Sequence, residues 1–275
     1  MKQRTPVQRD SLGKAIQLLS WIIGESNGGQ RKEWGVRELA QKLQQPPATI
    51  YRALTGLTKH GLIERNDDSG QYQIGTEFYR LALKIQSEFA IRNVGIPIMR
   101  ELVGKCNEAA FLGFYDSSRM EMMFVTFIDS SHPLRYVVPI NVWIPVYAGA
   151  SGLAIMAFLS KDERQAIMEK TGLVPVTMRT ITNPAALEKE LARVRARGYA
   201  FSRGQRTEGA VAIAAPIWSP NGRILGELNL SIPESRFDES MESSSAQLVI
   251  EHAKRIMEKL GAQAPSEYRF RPVRA

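Results

Sequence analysis

The sequence predicts an α+β protein with two domains that a helix connects. The chain has 275 residues, which exceeds the usual length of one domain and suits two. Apolar residues recur at helical spacing in the first 60 residues, and two short extended runs follow at once. From about residue 109 onward, strand-like and helical segments alternate. This order predicts a small helical domain with a hairpin, followed by a larger mixed domain.

The charge balance of the chain favours a polyanionic partner. Lys and Arg total 36 against 28 Asp and Glu, which gives a net charge of +8. Residues 1–75 hold 11 basic and 7 acidic side chains, so the first quarter of the chain carries half of the excess. A basic soluble protein without such a partner is the alternative that composition alone leaves open.

Few residues in the chain suit metal, redox or nucleophilic chemistry. Cys106 is the single cysteine and the 3 histidines are scattered, so we expect no disulfide, no zinc cluster and no cofactor. Cys106 lies on an apolar helical face, which is typical of a structural cysteine. No glycine-rich phosphate-binding motif is present, so we expect no enzyme. The lack of a membrane-length apolar run and of a signal peptide predicts a cytoplasmic location.

Three amphipathic helices and a hairpin are predicted at the start of the chain. The helices extend from about Leu12 to Ile23, from Val36 to Leu43 and from Pro47 to His60. The strand-like runs Leu62–Arg65 and Gln71–Ile74 flank a segment of turn-forming residues. Two helices with a short break, followed by a hairpin, predict a winged helix-turn-helix over residues 10–75.

The helix that starts at Pro47 is the candidate for insertion into the major groove of DNA. An α-helix fits that groove, and side chains at its N-terminal end meet the base edges. Basic side chains nearby and in the wing suit phosphate contacts. The residues predicted to contact DNA are Arg37, Pro47, Ala48, Thr49, Tyr51, Arg52, Lys59, Arg65 and Tyr72. A three-helix unit that contacts only other proteins is the alternative.

A further amphipathic helix follows the hairpin directly. Its apolar stripe leads us to interpret residues 76–92 as a linker helix and a dimer contact. Residues 93–262 then form the second domain, and residues 263–275 are predicted to be a mobile tail. The predicted strands of this domain are Ala109–Tyr115, Glu121–Ile128, Leu134–Pro139, Tyr199–Ser202, Val211–Ile217 and Ile224–Ile232.

Several stretches of sequence follow one another in a specific order and spacing. They are SLGKAIQLLSWI, VRELAQKLQQPPATIYRALTGLTKHGLIERNDDSGQYQIG, HPLRYVVPI, PVYAGASGLAIMAFL and EGAVAIAAPIWSPNGRILGELNLSIP. Together they resemble the IclR family of bacterial transcription regulators over roughly residues 10–260. The resemblance implies a dimer or a dimer of dimers on palindromic double-stranded operator DNA. It also implies a GAF-like sensor domain with a curved antiparallel sheet, which binds a small-molecule effector.

The resemblance also implies where the effector binds. In the family a backbone loop before a helix holds the effector, and its amides suit an anion at the helix N-terminus. The effector-binding residues implied here are Arg135, Tyr136, Tyr147, Gly149, Ala150, Ser151, Gly152, Ser202, Arg203, Ala212, Asn229 and Ser231. Trp143 is a further candidate for the wall.

Three of these positions depart from the family pattern. Ser202 stands where the family often has an acid, Ala212 where a cysteine is common, and Asn229 in place of the first of two serines. With Arg203 and Arg206 retained nearby, these departures indicate a carboxylate effector with an apolar or aromatic body. A regulator whose second domain binds no effector and only forms oligomers is the alternative.

Overall fold

A computed structural model describes residues 11–25, 33–88, 90–134, 136, 138–265 and 268 of the chain. These residues form two compact units, of which the first extends to Glu88. Within the described ranges, no helix is long and apolar enough to cross a membrane.

The first unit consists of helices and a two-stranded antiparallel sheet. Its elements are α1 (Ser11–Glu25), α2 (Val36–Lys42), α3 (Pro47–Lys59), β1 (Ile63–Arg65), β2 (Tyr72–Ile74) and α4 (Thr76–Glu88). Ile63 of β1 lies opposite Ile74 of β2. The apolar faces of the first three helices meet in a core that includes Leu18, Leu39 and Leu54. The predicted winged helix-turn-helix is therefore confirmed.

The second unit is a six-stranded sheet between two layers of helices. Its strands are β3 (Ala109–Asp116), β4 (Glu121–Ile128), β5 (Ile144–Pro145), β6 (Ala200–Arg203), β7 (Ala210–Trp218) and β8 (Ile224–Pro233). Its helices are α5 (Ala90–Cys106), α6 (Gly149–Met156), α7 (Lys161–Thr171), α8 (Pro184–Arg197) and α9 (Met241–Lys259). The strand order is β5-β4-β3-β8-β7-β6, and every neighbouring pair is antiparallel.

The two faces of this sheet carry different residues. Leu228 and Leu230 of β8 join the core that contains residues of α5 and α9. Asn229 and Glu227 point to the opposite face, where α6 lies, because side chains alternate along a strand. The pairing skips Val125 of β4 opposite β3 and Leu225 of β8 opposite β7, and an extra residue of this kind bends its strand and curves the sheet.

One predicted strand is wrong. The described residues of the segment 134–139 lie outside strands, and the edge of the sheet is completed instead by β5, which pairs with Glu121 and Met122. Pro133 and Pro139 flank the segment, and proline has no N–H to donate to a neighbouring strand.

The segment predicted as a mobile tail contains an anchored residue. The Tyr268 ring lies 4.7 Å from the Trp218 ring and 5.6 Å from the Phe158 ring, measured between centroids. Its hydroxyl donates a hydrogen bond to the carbonyl oxygen of Gly198 at 2.7 Å. The segment predicted as a mobile tail therefore includes one aromatic side chain that packs against the second unit.

Candidate functional site

The exposed face of α3 is the candidate DNA-binding surface. Ile50 and Leu54 are buried in the core, which turns the opposite side of the helix to solvent. The exposed residues predicted to contact DNA are Arg37, Pro47, Ala48, Tyr51, Arg52, Lys59 and Arg65. Thr49 is half-buried, and its backbone N–H donates to the carbonyl oxygen of Pro46 in the first turn.

The same face of α3 includes a residue that the sequence reasoning missed. Thr55 is exposed and lies three positions after Arg52 and four after Tyr51, so the three share one side of the helix. Its hydroxyl donates a hydrogen bond to the carbonyl oxygen of Tyr51 at 2.8 Å. The helical spacing from Tyr51 and Arg52 to Thr55 is the pattern in the sequence that indicates this shared side.

The two DNA-contact candidates in the wing, which is the hairpin formed by β1 and β2, differ in their exposure to solvent. Arg65 is exposed, and its Nε donates to the carbonyl oxygen of Gly70 at 3.4 Å across the turn. Tyr72 is buried in the core of the first unit, where its backbone pairs with that of Trp34. The structure therefore does not bring Tyr72 to the DNA-binding surface.

A cavity of about 50 Å³ lies between the start of α6 and the sheet of the second unit. The predicted effector-binding residues that line it are Gly149, Ala150, Ser151, Ser202, Ala212, Asn229 and Ser231. The lining residues beyond that set are Phe111, Phe124, Val138, Gln205, Arg206, Thr207 and Ala210. Apolar and polar groups thus share the wall, as is usual for small-molecule sites.

The segment 149–152 forms the first turn of α6, whereas the resemblance implied a loop before a helix. A Cβ added to Gly152 would lie 2.2 Å from the carbonyl oxygen of Val146, so only glycine allows this close approach. The N–H of Ala150 donates to Ser202 Oγ at 2.8 Å. The serine therefore satisfies one of the free amides of this helix N-terminus.

Several predicted wall residues lie away from the cavity. Tyr147 belongs to the core, and its hydroxyl donates to the carbonyl oxygen of Val174 at 2.6 Å. The Tyr136 hydroxyl lies beside Gly209, and Trp143 stacks under the Arg119 guanidinium at 5.0 Å. Arg135 lies outside the described residues.

Arg203 and Arg206 point in different directions. Arg203 donates to Glu239 at 2.5 Å, lies 3.7 Å from Glu234, and covers the Phe237 ring. It is not among the residues that line the cavity. Arg206, in contrast, lines the cavity.

The Arg206 guanidinium is buried and incompletely hydrogen-bonded. Its Nη2 donates to the carbonyl oxygens of Pro145 and Ala148 at 2.5 and 2.6 Å. Its buried Nε has no hydrogen-bond partner in the described part of the chain. Burial lowers the pKa of Arg206 to about 10, so the side chain remains charged at neutral pH. The lining of the cavity therefore includes a cation whose buried Nε lacks a hydrogen-bond partner among the described residues.

Glu227, which sequence reasoning missed, lies behind the polar wall. Asn229 Nδ2 donates to Ser151 Oγ at 2.9 Å and lies 3.2 Å from both carboxyl oxygens of Glu227. Burial raises the pKa of Glu227 to about 8, so its carboxyl group is mostly protonated at neutral pH. The alternation Glu227, Asn229, Ser231 along one strand was a signal that all three share a face.

A winged helix-turn-helix in one unit and a larger mixed unit beside it in the sequence define the class of DNA-binding transcription regulators. The sequence pattern of the IclR helix-turn-helix domain matches residues 11–67, and that of the bacterial transcriptional regulator IclR C-terminal domain matches residues 84–258. The chain belongs to the IclR family of bacterial transcriptional regulators, which are DNA-binding proteins and not enzymes.

Individual relatives agree with this assignment. The chain is 27% identical to the transcriptional repressor IclR of Escherichia coli K12 over 249 residues, which cover 90% of this chain and 89% of the repressor. An IclR transcriptional regulator from Silicibacter sp. TM1040 has a TM-score of 0.79 and 25% identity, over 94% of this chain and 99% of the other.

A third relative was solved with a ligand. An IclR homologue from Microbacterium hydrocarbonoxydans, complexed with 4-hydroxybenzoate, has a TM-score of 0.75 and 23% identity. The match covers 90% of this chain and 98% of that chain. The similarity between this chain and the Microbacterium homologue is a similarity of fold.

Proposed function

We propose that the protein is a ligand-responsive regulator of a catabolic or metabolic operon. Its effector is a small organic or aromatic carboxylate that binds in the cavity beside α6. The observation that carries this proposal is the buried guanidinium of Arg206, whose Nε has no partner among the described residues.

Arg206 requires an anion that the described protein does not supply. A buried charge is costly unless it is paired and hydrogen-bonded. Arg206 forms no salt bridge within the described part of the chain, and the nearby Glu227 is mostly neutral. A ligand carboxylate supplies the missing charge, while Phe111, Phe124 and Val138 accept its hydrocarbon body. The 4-hydroxybenzoate complex of the Microbacterium homologue supports this ligand class.

The DNA contact is assigned to the exposed face of α3 in the major groove of operator DNA, in the bacterial cytoplasm. Apolar residues on α1 and α4 support self-association into a homodimer or a dimer of dimers. Leu12, Ile16, Leu83 and Ile85 are each more than half exposed. A symmetric dimer would bind a palindromic operator through two copies of α3.

The effector acts by population shift. A ligand changes operator affinity only when it binds one arrangement of the DNA-binding units more tightly than another. The alternative is a second domain that only forms oligomers and binds no effector. An open cavity with a cation that has no ion-pair partner among the described residues argues against that alternative, because a filled apolar core would serve oligomerisation better.

Calorimetry on the full-length protein tests the effector. A panel of small aliphatic and aromatic carboxylates is compared with the corresponding uncharged amides. We expect at least one acid to bind while its amide does not, and we expect that acid to change the affinity for a fragment of the protein's own promoter. Absence of binding across the panel contradicts the sensor function, and DNA affinity that is insensitive to salt contradicts the α3 assignment.

A further inference from the structure

A polar stripe on β8 extends from the cavity into the interior. Glu227, Asn229 and Ser231 alternate with apolar residues and share the face toward α6. Asn229 and Ser231 line the cavity, whereas Glu227 is fully buried behind them. Glu227 has Gly113 of β3 and Pro216 of β7 as its neighbours across the sheet. The carboxyl group is therefore out of reach of solvent but within reach of the cavity wall.

The contacts of Asn229 fix the direction of its amide group. Nδ2 is the donor atom of this side chain, and it faces Ser151 Oγ and the Glu227 carboxyl group. The oxygen Oδ1 is the amide atom that remains for the cavity. Because the Glu227 carboxyl group accepts from Asn229 Nδ2 on the interior side, the acceptor oxygen Oδ1 is left on the cavity side.

We infer that Glu227 is a positioning residue for ligand specificity, since it orients the Asn229 amide so that the cavity favours carboxylates with a hydroxyl group. This inference rests on the proposed effector function. It adds a second requirement to the carboxylate, namely a hydrogen-bond donor on the same ligand.

A second acceptor, on a side chain that lines the cavity, supports the same ligand chemistry. Gln205 lines the cavity, and its buried Oε1 has no hydrogen-bond partner in the described ranges. A buried acceptor without a donor costs free energy, so a ligand that brings a donor is favoured. An ammonium group also donates, but it would stand in a buried site beside the charged Arg206. A hydroxyl group supplies the donor without that repulsion.

The test compares acids that differ by one hydroxyl group. Calorimetry on the full-length protein at neutral pH uses the pairs 4-hydroxybenzoate and benzoate, and lactate and propionate. We expect the wild type to bind the hydroxylated member of at least one pair roughly tenfold or more tightly. Equal affinities within every pair contradict the role of Glu227 and leave the effector function intact. Absence of binding by all four acids removes this inference together with the carboxylate proposal.

Two substitutions separate positioning from packing. Glu227→Gln keeps an acceptor for Asn229 Nδ2, so the preference for the hydroxylated acid is retained. Glu227→Leu has similar size and no acceptor, so the preference falls toward equal affinity while the acid itself still binds. Thermal melting and circular dichroism check that both variants fold. A preference that changes equally in both variants, or in neither, overturns the inference.

Discussion

The Glu227 carboxyl group occupies the space that a side chain at position 113 would need. A Cβ added to Gly113 would lie 2.4 Å from Glu227 Oε1 and 2.8 Å from the Met122 methyl group. Gly113→Ala therefore forces the buried carboxyl group to move, and overpacking of this kind costs about 1–3 kcal/mol. We expect a lower melting temperature for the Gly113→Ala variant in thermal denaturation of the full chain.

A double-mutant cycle tests whether Glu227 causes the destabilisation by Gly113→Ala. In a Glu227→Ala background the carboxyl group is gone and only the end of the flexible Met122 side chain remains near the added Cβ, so the same Gly113→Ala change should cost less. Gly104→Ala is the matched control, because that exposed helical glycine has no atom near its added Cβ. Equal penalties for Gly113→Ala in both backgrounds would disprove the steric relationship.

The raised pKa of Glu227 predicts a loss of stability as the pH rises from 4.5 to about 8. The folded protein holds the proton up to about pH 8, whereas the unfolded chain releases it near the ordinary pKa of 4.5. Below pH 4.5 both states are protonated, and between 4.5 and about 8 the unfolded state binds fewer protons, so stability falls as pH rises. The shift from 4.5 to about 8 corresponds to roughly 5 kcal/mol.

Glu227→Gln should remove this pH dependence. Melting temperatures at pH 5, 7 and 9 measure it, since the glutamine side chain does not titrate. We expect the melting temperature of the variant to rise relative to that of the wild type as the pH increases, with the largest difference at pH 9. Parallel pH profiles for the two proteins would show that Glu227 is ionised or solvated in the folded state.

Arg206 and Arg203 form a matched pair for ligand binding. Arg206→Gln removes the cation in the cavity, and loss of one partner of a buried charge pair costs about 2–5 kcal/mol. We expect the affinity for a carboxylate effector to fall about 30-fold or more in calorimetry. Arg203→Gln removes an arginine that pairs with Glu239 outside the cavity, so affinity should stay within about threefold. The reverse pattern would assign the ligand to Arg203.

The sequence predicted those features that depend on local pattern. The buried positions Ile50 and Leu54 and the exposed Arg52 follow from helical spacing, and the hairpin follows from its turn residues. Asn229 and Ser231 were placed on the correct strand by resemblance, and they do line the cavity.

The remaining features depend on contacts between distant parts of the chain. Arg206 turns into the cavity because carbonyl groups about 60 residues earlier, at Pro145 and Ala148, accept its hydrogen bonds. Glu227 is buried because β8 lies between β3 and β7, and strand order is not a local property of the sequence. The sequence predicts Tyr72 to be a DNA-contacting residue of the wing, but tertiary packing with Trp34 makes it part of the core.

Tyr268 stabilises the second unit from beyond its last helix. Its ring packs between Phe158 and Trp218, and its hydroxyl bonds to Gly198. Tyr268→Ala should destabilise the protein by about 2–3 kcal/mol, because a half-buried aromatic side chain that packs on two other rings is lost. Tyr268→Phe should cost only about 1 kcal/mol for the hydrogen bond. Thermal melting distinguishes the two, and unchanged melting of both variants would place the ring in solvent.

Arg52 and Tyr72 provide the sharpest test of the DNA-binding surface. Arg52 is exposed on α3, where its guanidinium suits guanine or phosphate, whereas Tyr72 is buried in the core. Arg52→Ala should weaken binding to the protein's own promoter by about 1–3 kcal/mol, measured by fluorescence anisotropy at several salt concentrations. A loss that varies with base sequence indicates base contact, and a uniform loss with a shallower salt slope indicates phosphate contact. Tyr72→Phe keeps the core ring and should leave DNA affinity unchanged. A large effect of Tyr72→Phe together with no effect of Arg52→Ala would mean that the wing, not α3, carries the main DNA contact.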